Sequence, residues 1–193
     1  TQIERLDSYA EHWSQNDEGG IRLVDKIVTE AALLLLLSRR VETLWPGLVT
    51  RNDQLSASLG PRIRNDRLRT MLVSMPQTAA TLGAGHVFLS VAGNRDATFE
   101  TLVQTALDDG FGETVERVPY RQLDQRWTRN LGRSDPLPVD DVLHGSILSS
   151  RAHPFYMTQG DGYAATHAVM YATDFGQSPL PEALDRGRVE AII

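Results

Sequence analysis

The chain has no cysteine. That excludes a disulfide framework, a thiolate metal site and a cysteine nucleophile. Lysine occurs once, at Lys26, and every other basic side chain is arginine, a usage that reads as a GC-rich bacterial genome rather than a functional device. Positive charge is in short supply. The 19 Lys and Arg residues face 25 Asp and Glu, for a formal net charge of −6, where a nucleic-acid binder would carry a basic face. Long apolar runs are missing too. The longest, residues 31–37, has seven residues, against about 20 for a membrane span. A secretory leader is not visible, so a cytoplasmic location is expected. The first residue is Thr1 and not a methionine, which leaves room for a preceding piece.

Strand character is also lacking. The one β-branched cluster, residues 114–118, is short and charged. Helical stripes run through the rest, punctuated by glycine and proline. Ile3, Leu6, Ala10 and Trp13 mark a first helix, broken at Gly19-Gly20. Ile21, Val24, Ile27, Val28, Ala31, Leu34 and Leu35 mark a second, ending near Leu44. Residues 53–59 predict a short helix closed by Gly60, and Pro61 suits the first turn of the next. The arginines at 62, 64, 67 and 69 are expected to form a solvated face rather than a phosphate clamp. His86 is expected to be a packed, hydrogen-bonded histidine, beside glycines 83 and 85 that let another helix approach. Asp96 or Thr98 can cap a helix carrying Phe99, Leu102, Val103, Ala106 and Leu107. Pro119 opens another, with Leu123, Trp127 and Leu131 at steps of four.

These stripes predict an all-α fold: about ten helices in antiparallel hairpins, α-solenoid-like or α/α-toroid-like, forming a single domain over residues 1–193. The end of the chain has no C-cap. Residues 182–193, with Leu184, Val189 and Ile192, are expected to need cover from a partner chain or a further C-terminal segment.

Chemistry-bearing side chains concentrate in residues 144–176, which hold three of the five histidines and three of the five tyrosines. A helix over residues 161–174, capped by Asp161, places Tyr163, His167, Met170, Tyr171 and Asp174 on one face. A surface face would show Glu, Lys or Arg, and a core face Leu, Ile or Val. This one predicts a helix lining a polar cavity, with Ala165, Ala168 and Ala172 packing behind it. His167 is the candidate acid/base, with Asp174 or Asp161 as partner, and Tyr163 and Tyr171 orient a substrate. His167 and Asp174 stand about 10 Å apart along such a helix, so Tyr171, a water or a ligand would have to span them.

A metal site from His144, His153 and His167 with Asp161 or Asp174 would suit zinc or iron. The spacing matches no tight local metal motif. The alternative is structural: His144 caps or hydrogen-bonds, His153 shapes the turn before Pro154, and His167 is a buried polar residue. A serine hydrolase is disfavoured, because no G-x-S-x-G elbow exists.

The strings VPYRQLDQRW and THAVMYATDFGQSPLP resemble an uncharacterised all-helical family of actinobacterial proteins, often encoded beside natural-product biosynthetic genes. The likeness spans roughly residues 75–193. It rests on Pro119-Tyr120-Arg121, Asp161, Tyr163, Thr166-His167 and Thr173-Asp174-Phe175-Gly176. It adds Tyr120 and Arg121 to His144, His153 and Asp161 as candidate substrate-binding residues. It implies an enzyme or accessory protein of specialised metabolism, acting on a small molecule or a carrier-bound substrate. A non-catalytic scaffold for a protein or carrier domain is the other reading, with Phe155, Tyr156 and Tyr171 as its sticky surface.

Overall fold

The computed structural model describes residues 22–109, 116–134, 136–150 and 153–182, together with 184, 187 and 189. Among them every regular element is helical, as nine α-helices and three short 3-10 turns, with no strand. The contacts fall into two compact units, Thr1–Gly112 and Glu113–Ile193. The first predicted helix, residues 3–13, and the break at Gly19-Gly20 lie outside the described residues.

The first unit is built on α1 (Leu23–Arg40) and α2 (Leu48–Ile63). Asp25 anchors the start of α1: its carboxylate accepts the Arg22 backbone N–H at 3.0 Å and satisfies an orphan donor. The buried face is Val28, Ala32, Leu35 and Leu36, while Leu34 is 63% exposed. The predicted stripe placed Leu34 inside. With apolar residues at every position from 31 to 37, the pattern shows a helix but not its phase.

Helix α2 corrects a second expectation. It runs through Gly60 and Pro61 to Ile63, where a break was expected. Pro61 removes one backbone bond from the last turn, but Leu59 and Ile63 are both buried, and their packing outweighs the loss. The chain turns instead at Asn65, whose side chain caps α3 (Asp66–Ser74) by accepting the Leu68 N–H at 2.9 Å.

Short α4 (Ala79–Leu82) and α5 (Ala84–Val91) meet at Gly83, and Asp96 caps α6 (Ala97–Asp108) as expected. Phe99, Val103, Ala106 and Leu107 are buried against Leu68, Leu72, Ala79 and Leu82. The close approach foreseen at the glycines is present. A Cβ on Gly83 would stand 2.9 Å from Val103, and one on Gly85 3.2 Å from both Ile63 and Thr29.

The arginines are not a solvated face. All four are half-buried. Arg67 pairs with buried Asp25 at 2.7 Å, Arg62 donates to the Ser58 carbonyl, and Arg69 lies over the Phe99 ring. Arg64 donates to His86 Nδ1 at 3.0 Å and to Asn94 through both terminal nitrogens. His86 is packed and hydrogen-bonded, as predicted.

The second unit contains α7 (Pro119–Asn130), α8 (Asp140–Gly145) and α9 (Gln159–Ala172). Pro119 takes the first helical position, where its missing N–H costs nothing. Leu123, Val142, Leu143, Leu148, Ala165 and Ala168 form the core. Ala165 and Ala168 pack into this core, while the other side of α9, with Tyr163, His167 and Tyr171, meets the aromatic rings of α7. Leu184 and Val189 are buried in this same core. The expected need for an outside cover is therefore met by the chain itself at those two positions, while Ile192 lies outside the described residues. Among the described residues, no helix is long and apolar enough to cross a membrane.

Candidate functional site

Helix α9 places Tyr163, His167 and Tyr171 at steps of four, one above the other. Its start is fixed by a capping box. Thr158 Oγ1 accepts the Asp161 N–H at 3.2 Å, and the Asp161 carboxylate accepts the Thr158 N–H at 2.8 Å. Asp161 is thus the third residue of the helix and not its cap. These bonds with Thr158 hold its carboxyl below the usual range.

The Tyr163 ring stacks on His167 at 3.7 Å between centroids. Tyr120, from α7, meets both edge-on, at 5.6 Å from Tyr163 and 6.0 Å from His167. His167 Nδ1 lies 2.8 Å from the Tyr163 carbonyl oxygen. A carbonyl can only accept, so Nδ1 carries the proton and Nε2 holds the lone pair of the neutral ring. His167 is half-buried and Tyr163 is 43% exposed, so the stack is open on one side rather than lining a closed cavity.

Below the stack the site becomes drier. Trp127, nearly buried, packs against Tyr171 at 5.5 Å and Phe175 at 5.0 Å. Burial drives the Asp124 carboxyl above its usual range, against the opposing pull of Arg121 and a hydrogen bond from Tyr171. Burial also raises the Tyr171 hydroxyl well above an ordinary tyrosine, with the Asp124 charge adding to it. Arg121 contacts Asp124 at 3.5 Å and lies over the Tyr120 ring at 5.2 Å.

Asp174 does not share the face of His167. The helix ends at Ala172, and Asp174, Phe175 and Gly176 all take left-handed backbone angles. That turn swings the Asp174 carboxylate onto the Trp127 indole, whose Nε1–H donates at 2.8 Å. The Asp174 carboxylate is therefore engaged by Trp127 rather than set in line with His167 along the helix. Asp124, on α7, is the carboxylate that accepts the Tyr171 hydroxyl. Its signal was present in the sequence: Tyr120, Asp124 and Trp127 stand at steps of four and three on one helix. The Leu123–Trp127–Leu131 stripe on the same helix reads as a core face.

The other predicted residues lie apart from the stack. His144 is exposed on α8. His153 is exposed, and its Nδ1 accepts the Phe155 N–H at 3.2 Å, shaping the turn after it. His153 and Asp161 line an open pocket of about 450 Å³ with Ser146, Ile147, Tyr156 and Met157. Among the described residues, no three His, Asp or Glu side chains gather to hold a metal ion. The trio His144, His153 and His167 is not brought together: the three sit on α8, a loop and α9, and His153 and His167 bond within their own segments.

No curated protein and no solved structure matches the chain. A family model matches residues 2–192, and the chain therefore belongs to the family described as a domain of unknown function (DUF6895).

Proposed function

We propose that the second unit binds a small molecule at Tyr120, Arg121, Tyr163 and His167, and that His167 Nε2 moves a proton to or from it. The observation that carries this reading is the fixed ring of His167. The Tyr163 carbonyl holds Nδ1–H at 2.8 Å and the Tyr163 ring stacks at 3.7 Å. Orientation and tautomer are thus set before a ligand arrives, as a general base requires. Tyr163 and Tyr120 supply ring contacts and Arg121 a charge. Tyr171, with its hydroxyl on Asp124, supports the stack from below.

The residues behind the likeness to actinobacterial proteins include Tyr120, Arg121, Tyr163 and His167. On that likeness the proposal extends to an enzyme or accessory protein of bacterial specialised metabolism, with a small-molecule or carrier-bound substrate.

The test is His167→Ala, assayed by ligand-observed magnetic resonance against a library of small metabolites and their thioesters. Binding should disappear while the helical dichroism stays. A large loss of stability with ligand binding retained overturns the reading.

A second reading has its own observation. Phe155 and Tyr156 are 85% and 81% exposed and meet edge-on at 5.6 Å. Such a pair suits a scaffold that docks a protein or carrier domain. Phe155→Ala with Tyr156→Ala would then abolish carrier-domain binding, while His167→Ala would not.

A further inference from the structure

We infer that the ligand of the α7–α9 site is a planar aromatic carboxylate, an inference that rests on the small-molecule reading above. Three rings with open edges already meet there. Tyr163 and His167 are near-parallel, at 28°, and Tyr120 stands across them at 81° and 63°. Tyr163 is 43% exposed, so part of the stack is accessible to one more flat ring. Aromatic pairs gain from offset stacking and edge-to-face contact beyond the area they bury. A saturated ring of the same size would gain only the area.

The charge comes from Arg121. Its side chain is 46% exposed, and its guanidinium lies 5.2 Å from the centre of the Tyr120 ring. Its polar partners among the described residues are Tyr120 and Asp124, the latter at 3.5 Å. That length is the outer limit of a hydrogen bond. Asp124 also accepts the Tyr171 hydroxyl, so its carboxylate is shared between Arg121 and Tyr171. A guanidinium has five donors in a fixed fork that fits a carboxylate with two parallel bonds. A cationic or a neutral ligand would leave the fork unused. One arginine beside one histidine suits a monoanion better than a phosphate dianion. His167 Nε2 then stands beside the bound ring as the proton acceptor for an acidic substituent on it.

The test follows the His167 and tyrosine ring resonances of the full chain during titration with benzoate, benzamide and cyclohexanecarboxylate. Benzoate should shift His167 and Tyr163 and saturate, at least ~10-fold tighter than the other two. Arg121→Gln should remove the preference over benzamide. Tyr163→Leu should remove the preference over cyclohexanecarboxylate. Dichroism of both variants should match the parent, since both side chains are exposed. Equal binding of the three compounds overturns the proposal, as does benzoate binding that leaves His167 unshifted. So does absence of benzoate binding up to about 10 mM. A compound of another class that saturates His167 where benzoate does not would overturn the ligand class and leave the site standing. No shift at His167 from any compound of the metabolite library would overturn both.

Discussion

The Asp174 carboxylate accepts the Trp127 indole N–H at 2.8 Å across 47 residues of sequence. This bond joins the turn after α9 to the last turn of α7. Asp174 makes it from a left-handed backbone position, φ 47°, which aspartate tolerates better than most residues. Asp174→Ala removes the acceptor and keeps the backbone strain. It should lower stability by about 1–3 kcal/mol, the cost of a mostly buried donor losing its partner. Asp174→Asn keeps an oxygen acceptor and should lose less. Urea unfolding followed by tryptophan fluorescence measures both. Equal losses for Ala and Asn would mean that charge, not the hydrogen bond, matters.

Two glycines should respond in opposite directions to the same substitution. A Cβ on Gly83 would meet the Ala79 carbonyl oxygen at 2.7 Å and Val103 at 2.9 Å, while one on Gly162, inside α9, would meet nothing within 4 Å. Gly162→Ala should gain about 0.5–1 kcal/mol from the better helix former. Gly83→Ala should lose about 1–3 kcal/mol, because α6 must move to admit the methyl group. Thermal unfolding of the two variants reads both signs.

The fold class was legible because helical stripes, glycines and prolines agree along the chain. The capped start of α6 and the small-residue back of α9 were legible for the same reason: each is a local pattern with a local cause. What stayed hidden was decided by tertiary packing. Pro61 looks like a helix opener, yet Leu59 and Ile63 are held in the core and carry α2 past it. Leu34 and Leu36 are identical in sequence terms, and only the neighbours choose which is buried. In the site, the helical spacing rightly grouped Tyr163, His167 and Tyr171. It carried Asp174 along wrongly, because nothing in the periodicity marks the left-handed turn after Ala172. Asp124 was missed because the leucine and tryptophan stripe beside it reads as core.

Asp161 was expected to bind substrate, and its bonds with Thr158 make it a capping residue. Thr158→Ala should destabilise by about 1 kcal/mol, the usual worth of an N-cap. Asp161→Ala should lower the melting temperature in the same direction. Neither should change ligand shifts at His167, which sits more than a turn further along α9. If Asp161→Ala instead weakens ligand binding at unchanged melting temperature, the carboxylate has a binding role that the capping geometry does not reveal.

His86 makes stability depend on pH in a window set by its burial. It is 1% exposed. Burial, followed by the neighbouring Arg64 charge, lowers it from 6.5 to about 4. Between those values the unfolded chain holds a proton that the folded chain refuses, so stability rises with pH there. The contribution is full above 6.5, is lost as pH falls, and is gone below about 4. A shift of this size corresponds to about 3 kcal/mol. Asp124, whose carboxyl is raised, works in the opposite sense from 3.8 upward, so the parent profile mixes the two. His86→Gln isolates the histidine: its amide oxygen can still accept from Arg64, but it does not titrate. Unfolding midpoints in guanidinium, measured from about pH 4 to pH 7, should converge for parent and variant at the acid end and separate in favour of the parent as pH rises. Parallel profiles would mean that the folded protein admits a proton on His86 as readily as the unfolded chain does.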